Sequence, residues 1–388
     1  MAMQDSHGRS VGDAAHPMLF MSISFAAFTL LLTSCSVDIP LRPEAQGEGE
    51  GGQATSSSIV CIIHGDGDYR YHDADGNEVT ADEEALAKAK RVAERNPQAE
   101  VFIFHQKPRR HFLFIFPRRD GEFYYYRNGQ LIANDLYWRG QGQSHFAPEV
   151  ELRRRFPGTN QSGKATIFLY FGHEIPESDG VRYDASYPER TFAVHDLARG
   201  LGGFMPDSAR FDLLVLSTCF GGTPHTIGAL APFARTIIAS PGNLHLSYFD
   251  FHSLERLDLG LADGDVPAFA GRFAQRSFDR LTRDLQTDVS VAVYDADRVQ
   301  KFLLSVQYMY DRTLTSLTTH SYTAESERCD CADLPAFVLP TMTEGVDIFY
   351  RPARFGRSKG KQNHSGWECW RERDERSAGS QSTETIPR

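Results

Sequence analysis

Six short apolar runs constrain the fold of this chain more than any other feature. They are Ile59–Ile63, Val101–His105, Thr166–Phe171, Phe211–Leu216, Thr236–Ala239 and Val289–Val293. A strand with one wet face alternates apolar and polar residues, whereas near-continuous apolar runs mark strands covered on both faces. Helical stretches lie between them. Thr80 and Glu83 have the spacing of a capping box and open a helix that runs to about Arg95, where Asn96-Pro97 stops it. Glu149–Phe156 and the stretch from Val266 to Leu285 read as further helices. Strands alternating with helices imply an α/β fold with a mainly parallel sheet, helices covering both faces.

Between the second and third runs, residues 111–134 carry the strand-like segments Phe112–Phe116 and Phe123–Tyr126, with Asp120-Gly121 between them and an Asn128-Gly129 turn after them. This reads as a β-hairpin or meander added to the main sheet. Its aromatics, Tyr124–Tyr126 with Tyr137 and Trp138, suit packing of a hairpin face better than ligand binding.

Several functions are excluded or weakened. The net charge is −10, and the basic runs Pro117-Arg118-Arg119 and Arg153-Arg154-Arg155 are short and isolated, so no nucleic-acid partner is expected. Gly200-Leu201-Gly202-Gly203 follows no strand and is not a dinucleotide fingerprint; no phosphate loop, GxSxG elbow or HExxH metal motif occurs. Asp73-Ala74-Asp75-Gly76 is a turn rather than a calcium loop, because its glycine is misplaced and no closing glutamate follows. No metal site is expected.

The N-terminal segment reads as an address. Met18–Leu32 is an apolar stretch of signal-peptide length, short for a membrane span, although Asp5, Arg9 and Asp13 leave the segment before it without a net positive charge. It ends in Leu32-Thr33-Ser34-Cys35, which resembles a bacterial lipobox with Cys35 as the lipidated residue. Residues 1–35 are then a lipoprotein signal peptide, and the Gly-, Glu- and Ser-rich residues 36–57 a flexible tether. By that resemblance Ser36, standing where an aspartate would retain the protein in the inner membrane, points to the outer membrane of a Gram-negative bacterium. Of the remaining cysteines, Cys329, Cys331 and Cys369 lie near the end, where one disulfide is chemically allowed. Residues 305–370 form an extension without an assigned role, and 371–388 are charged and polar, as a disordered tail would be.

The chemistry concentrates at two run ends. Thr166–Phe171 leads into Gly172-His173-Glu174, and Phe211–Leu216 into Ser217-Thr218-Cys219, with Gly221-Gly222 following. Ligands bind beyond the carboxyl ends of strands in an open parallel sheet. An imidazole and a thiol meeting there form a candidate nucleophile and proton carrier. The nearby glycines let a substrate backbone approach, and the N–H groups of Cys219 and Glu174 are candidate oxyanion donors. Against this stands the ordinary reading of a cysteine as a small buried apolar side chain.

These motifs, in this order, resemble the clostripain-like family of cysteine peptidases in the caspase-like clan. Ile59–Asp68 is similar to the family's first strand with its Gly-Asp turn, and Phe211–Cys219 to its cysteine strand. Thr236–Asp250 resembles the strand after it, and Val289–Val299 a later strand ending on Asp. The resemblance covers residues 58–304. It implies a caspase-like three-layer α/β/α sandwich and a cysteine endopeptidase acting on a peptide or protein substrate with His173 and Cys219. No cofactor is expected; calcium enters only through the resemblance. The family places Asp two residues before the cysteine, where it holds a basic P1 side chain; here Ser217 stands there, and Glu174 replaces the usual Gly or Ser after the histidine. Asp66 and Asp250 are the carboxylates that the motifs offer as substitutes. The alternative is a catalytically degenerate caspase-like lipoprotein that binds a peptide or glycan.

Overall fold

The computed structural model describes residues 56–65, 70–72, 78–109, 111–112, 116–139, 146–156, 164–178, 181–205, 209–244, 253–255, 257, 265–305 and 345–356. Thirteen strands occur among them: β1 (Ser57–His64), β2 (Arg70–His72), β3 (Glu78–Thr80), β4 (Ala99–Gln106), β5 (His111–Phe112), β6 (Phe116–Pro117), β7 (Gly121–Arg127), β8 (Gln130–Tyr137), β9 (Ala165–Phe171), β10 (Phe211–Ser217), β11 (Ala234–Ala239), β12 (Val289–Asp295) and β13 (Val346–Arg351). The helices are α1 (Ala81–Arg95), α2 (Ala147–Arg154), α3 (Val194–Phe204), α4 (Pro224–Leu230) and α5 (Val266–Asp284), with a further helical stretch at 296–305.

Nine strands form one sheet in the order β8-β7-β4-β1-β9-β10-β11-β12-β13. Its centre, β4 to β11, is parallel, and both flanks are antiparallel. Strand residues alternate between two core layers. Val60, Ile62, Phe168, Tyr170, Leu214 and Leu216 face α2, α3 and α4. Ile59, Cys61, Ile63, Leu169, Leu213 and Val215 face α1 and α5. The protein is therefore a three-layer α/β/α sandwich, as expected, and the continuous apolar runs are its doubly covered central strands.

Local chemistry explains the details. The hairpin turn falls at Asn128 (φ 55) and Gly129 (φ 73), the two left-handed positions that a tight hairpin needs. The hairpin is β7–β8; Phe112 and Phe116 instead pair with each other in the small β5–β6 ribbon. Tyr124, Tyr125, Tyr126 and Tyr137 are buried, and Tyr125 stacks on Phe102 at 4.7 Å, so these aromatics are core. Thr80 is the N-cap of α1, but its side chain makes no capping hydrogen bond. The glycine-rich stretch 200–203 lies in α3, where a Cβ on Gly200 would stand 2.2 Å from Phe146 Cδ2 and one on Gly203 3.0 Å from Val150 Cγ2. These glycines let α2 and the preceding turn press against α3.

Two features depart from the sequence reading. β12 runs antiparallel to β11. The sheet also continues beyond residue 304, because β13, from the stretch without an assigned role, pairs with all but the last residue of β12. Cys35, the lipobox, the 73–76 turn, Cys329, Cys331, Cys369 and the 371–388 tail lie outside the described residues. No described helix is long and apolar enough to cross a membrane.

Candidate active site

The site is built by the register between β9 and β10. Ser217, the last residue of β10, is matched with Phe171, the last of β9. The Gly172 N–H then donates to the Ser217 carbonyl at 3.3 Å, carrying the ladder one residue further. His173 and Cys219 each stand two residues beyond the last matched pair. Neighbouring strands lie about 4.8 Å apart, so the two chain paths leave the carboxyl edge of the sheet side by side. His173 and Cys219 are half-buried and Glu174 is exposed; within His173 the Nε2 atom is buried.

Glycine at 172 is required by space. A Cβ there would lie 2.8 Å from Tyr183 Oη and 3.2 Å from His64 Cβ. Cys219 packs against the core layer shared with α1 and α5, and its Sγ donates to Asn243 Oδ1 at 3.0 Å.

The turn after Cys219 is fastened to the loop after β11. The Phe220 N–H donates to Gly242 O at 3.0 Å, the Gly222 N–H to Ser240 O at 2.9 Å, and Tyr294 Oη to Gly222 O at 2.8 Å. Phe220 has φ 51, a left-handed conformation that costs a non-glycine residue roughly 1–2 kcal/mol; these bonds hold it there. A Cβ on Gly222 would meet Pro241 N at 2.7 Å, so this glycine gives the two loops their close approach. Because the Phe220 and Gly222 N–H groups already have carbonyl partners, neither is available to an oxyanion.

Ser217 is buried and neutral, and strand alternation puts it on the face of Leu213 and Val215. Partial desolvation by the surrounding protein, with the nearby Glu177 charge, raises the Glu174 carboxyl above its ordinary range. Asp66 and Asp250 lie outside the described residues. Among the described residues no three His, Cys, Asp or Glu side chains gather as a metal cluster.

Asn243 was not singled out from the sequence. The one local signal was the Ser240-Pro241-Gly242 turn before it, which says nothing about the thiol it reaches.

No family model matches the chain, and no curated protein matches it. Similar solved structures are cysteine proteases of the C11, or clostripain-like, group. One is an inactive zymogen C11 protease from Parabacteroides distasonis, 12% identical with a TM-score of 0.46, covering 67% of this chain and 68% of that one. Another is a secreted C11 cysteine protease from Bacteroides thetaiotaomicron in complex with an irreversible peptide inhibitor, 11% identical with a TM-score of 0.46, covering 66% and 70%.

Proposed function

We propose that the chain is a clostripain-like cysteine endopeptidase of the cell envelope, with Cys219 as nucleophile and His173 as proton carrier. The observation that carries this reading is the matched register that sends His173 and Cys219 off adjacent parallel strands at one sheet edge. In the reaction the thiol gives its proton to the imidazole and the sulfur bonds to the substrate carbonyl carbon. The oxyanion is held by the N–H groups of Cys219 and Glu174. The imidazolium then protonates the departing amine, and water, deprotonated by the same imidazole, releases the acid and restores the thiol. Asn243, accepting from Sγ, positions the sulfur. The Leu32–Cys35 lipobox supplies the anchor through Cys35 and the 36–57 segment the tether.

A second reading, a degenerate binding lipoprotein, draws on two observations. The thiol is directed at the amide oxygen of Asn243, and Ser217 and Glu174 depart from the family pattern. Assaying a mixed peptide library separates the two. Cleavage that disappears in Cys219→Ala supports the peptidase; peptide capture without cleavage, unchanged in that variant, supports the binder.

A further inference from the structure

On the opposite face of β1 and β9 from Cys219 lies a cavity of about 40 Å³, lined among others by His64, Gln106, Arg139, Glu149, Asp184 and Arg190. A cavity holds one water from about 10–15 Å³ upward, so this one takes a few heavy atoms. The loop that opens at His173 forms part of its wall, through Tyr183, Asp184, Tyr187 and Arg190.

The lining is rich in donors. Arg139 is more than nine-tenths buried. Its Nη1 donates to Lys107 O at 2.5 Å and its Nη2 to Asp184 Oδ2 at 2.7 Å, while its Nε has no hydrogen-bond partner among the described residues. A buried N–H of a cation without an acceptor is costly unless a ligand supplies one. Asp184 does not meet that need, because its other oxygen already accepts from Ser186 N at 2.8 Å and Ser186 Oγ at 2.6 Å.

Glu149 is also engaged. Its Oε1 accepts from Gln106 Nε2 at 2.8 Å and Tyr137 Oη at 2.7 Å. Burial, the largest influence, raises its carboxyl above the ordinary range, which favours its neutral form. The amide nitrogen of Gln106 is used by Glu149, and its oxygen lies 3.0 Å from His64 Nδ1, a ring nitrogen that Arg139 Nη2 also approaches at 3.2 Å. Three guanidinium groups, Arg109, Arg139 and Arg190, stand 5.3, 5.2 and 5.7 Å from the centre of the Tyr187 ring in the wall. Arg190 is half-buried and is tied by Nη1 to Arg139 O at 3.0 Å.

We infer that this cavity is a binding site for a small carboxylate, held by Arg139 Nε and the Arg190 fork, and separate from the His173–Cys219 cleft. A planar fork matches the two oxygens of a carboxylate. A dianion is disfavoured, because the Asp184 carboxylate shares the space. The carboxylate is either a free small acid or the acidic side chain of a peptide.

The test is a thermal-shift titration of the full chain at constant ionic strength. The probes are sodium acetate and the capped amino acid N-acetyl-glutamic acid amide, with acetamide as the neutral control. A saturable rise in Tm is expected with a carboxylate and not with acetamide. Arg190→Gln should weaken it about tenfold or more, the loss of one charge-assisted contact. Arg190→Lys, keeping charge without the fork, should fall between. Glu149→Gln, which keeps the shape, should retain or tighten binding; loss of binding there would indicate a cation site and overturn the inference. Saturation by acetate assigns a free acid, and saturation by the capped glutamate alone assigns a peptide side chain. No saturable shift with either, or an unchanged response in Arg190→Gln, would also overturn it.

Discussion

At the scale of single residues, charge and burial decide two behaviours. His105, buried at the end of β4, places Nε2 2.9 Å from Asp82 Oδ2 and Nδ1 3.5 Å from Glu122 Oε2. Burial alone would lower the imidazole; its hydrogen bonds to Asp82 and Glu122 outweigh that and raise it. Burial alone would raise Asp82, but His105 brings it below the ordinary range. For Glu122 the His105 hydrogen bond is the largest influence and also lowers it. The imidazolium contribution is complete below the unfolded value of about 6.5 and is lost as pH rises through the raised folded value. The carboxylate contributions are complete above about 4 and are lost as pH falls through the lowered folded values. Urea unfolding should therefore find this cluster most stabilising between about pH 4 and 6.5. His105→Asn should cost about 3 kcal/mol at pH 6 and flatten the decline above it; an unchanged slope would refute this role. Ser217 makes the other case. A buried P1 guanidinium needs an anionic partner, and Ser217 offers none, so peptide profiling should show no preference for Arg or Lys at P1. Ser217→Asp should gain basic-P1 cleavage, whereas strong Arg cleavage by the unmodified chain would show that another carboxylate does the work.

At the scale of elements, helix packing turns on where glycine is needed. Gly200 of α3 lies under Phe146, and an added methyl must displace that ring; Gly200→Ala should destabilise by about 1–3 kcal/mol. Gly271, inside α5, has nothing within 4 Å of an added Cβ, so Gly271→Ala should stabilise by up to about 1 kcal/mol through helix propensity. Paired denaturation curves test both, and equal effects would contradict the packing account. The same contrast shows what the sequence could reveal. The central strands were legible because burial on both faces leaves their middle residues apolar, the buried polar residues such as Ser57, His64, Glu100 and His105 standing toward the ends. The antiparallel sense of β12 was not, because an apolar run carries no direction. β13 escaped notice because its residues after Val346 are only partly covered or exposed. α3 was hidden by Gly200–Gly203, whose reason is the side chains of Phe146 and Val150. The ends of β9 and β10 were legible as a candidate site, since His173 and Cys219 each follow an apolar run. Asn243 and the Arg139 cavity were not, because each depends on residues far apart in sequence.

At the scale of the whole molecule, the sandwich presents its candidate cleft at the carboxyl edge of the central strands, and the proposed lipid at Cys35 would tether the chain to a membrane. Cys35→Ala should move the protein from the membrane to the soluble fraction without altering peptide cleavage; unchanged fractionation would remove the lipobox from the account. The central claim is that Cys219 is a nucleophile served by His173, and covalent labelling tests it most directly. The purified chain is treated with an electrophilic peptide probe for cysteine peptidases, and the modified residue is mapped by mass spectrometry. The account predicts one label on Cys219, lost in Cys219→Ala and reduced at least about a hundredfold in rate in His173→Ala. An unlabelled Cys219, or labelling at the same rate without His173, would contradict it.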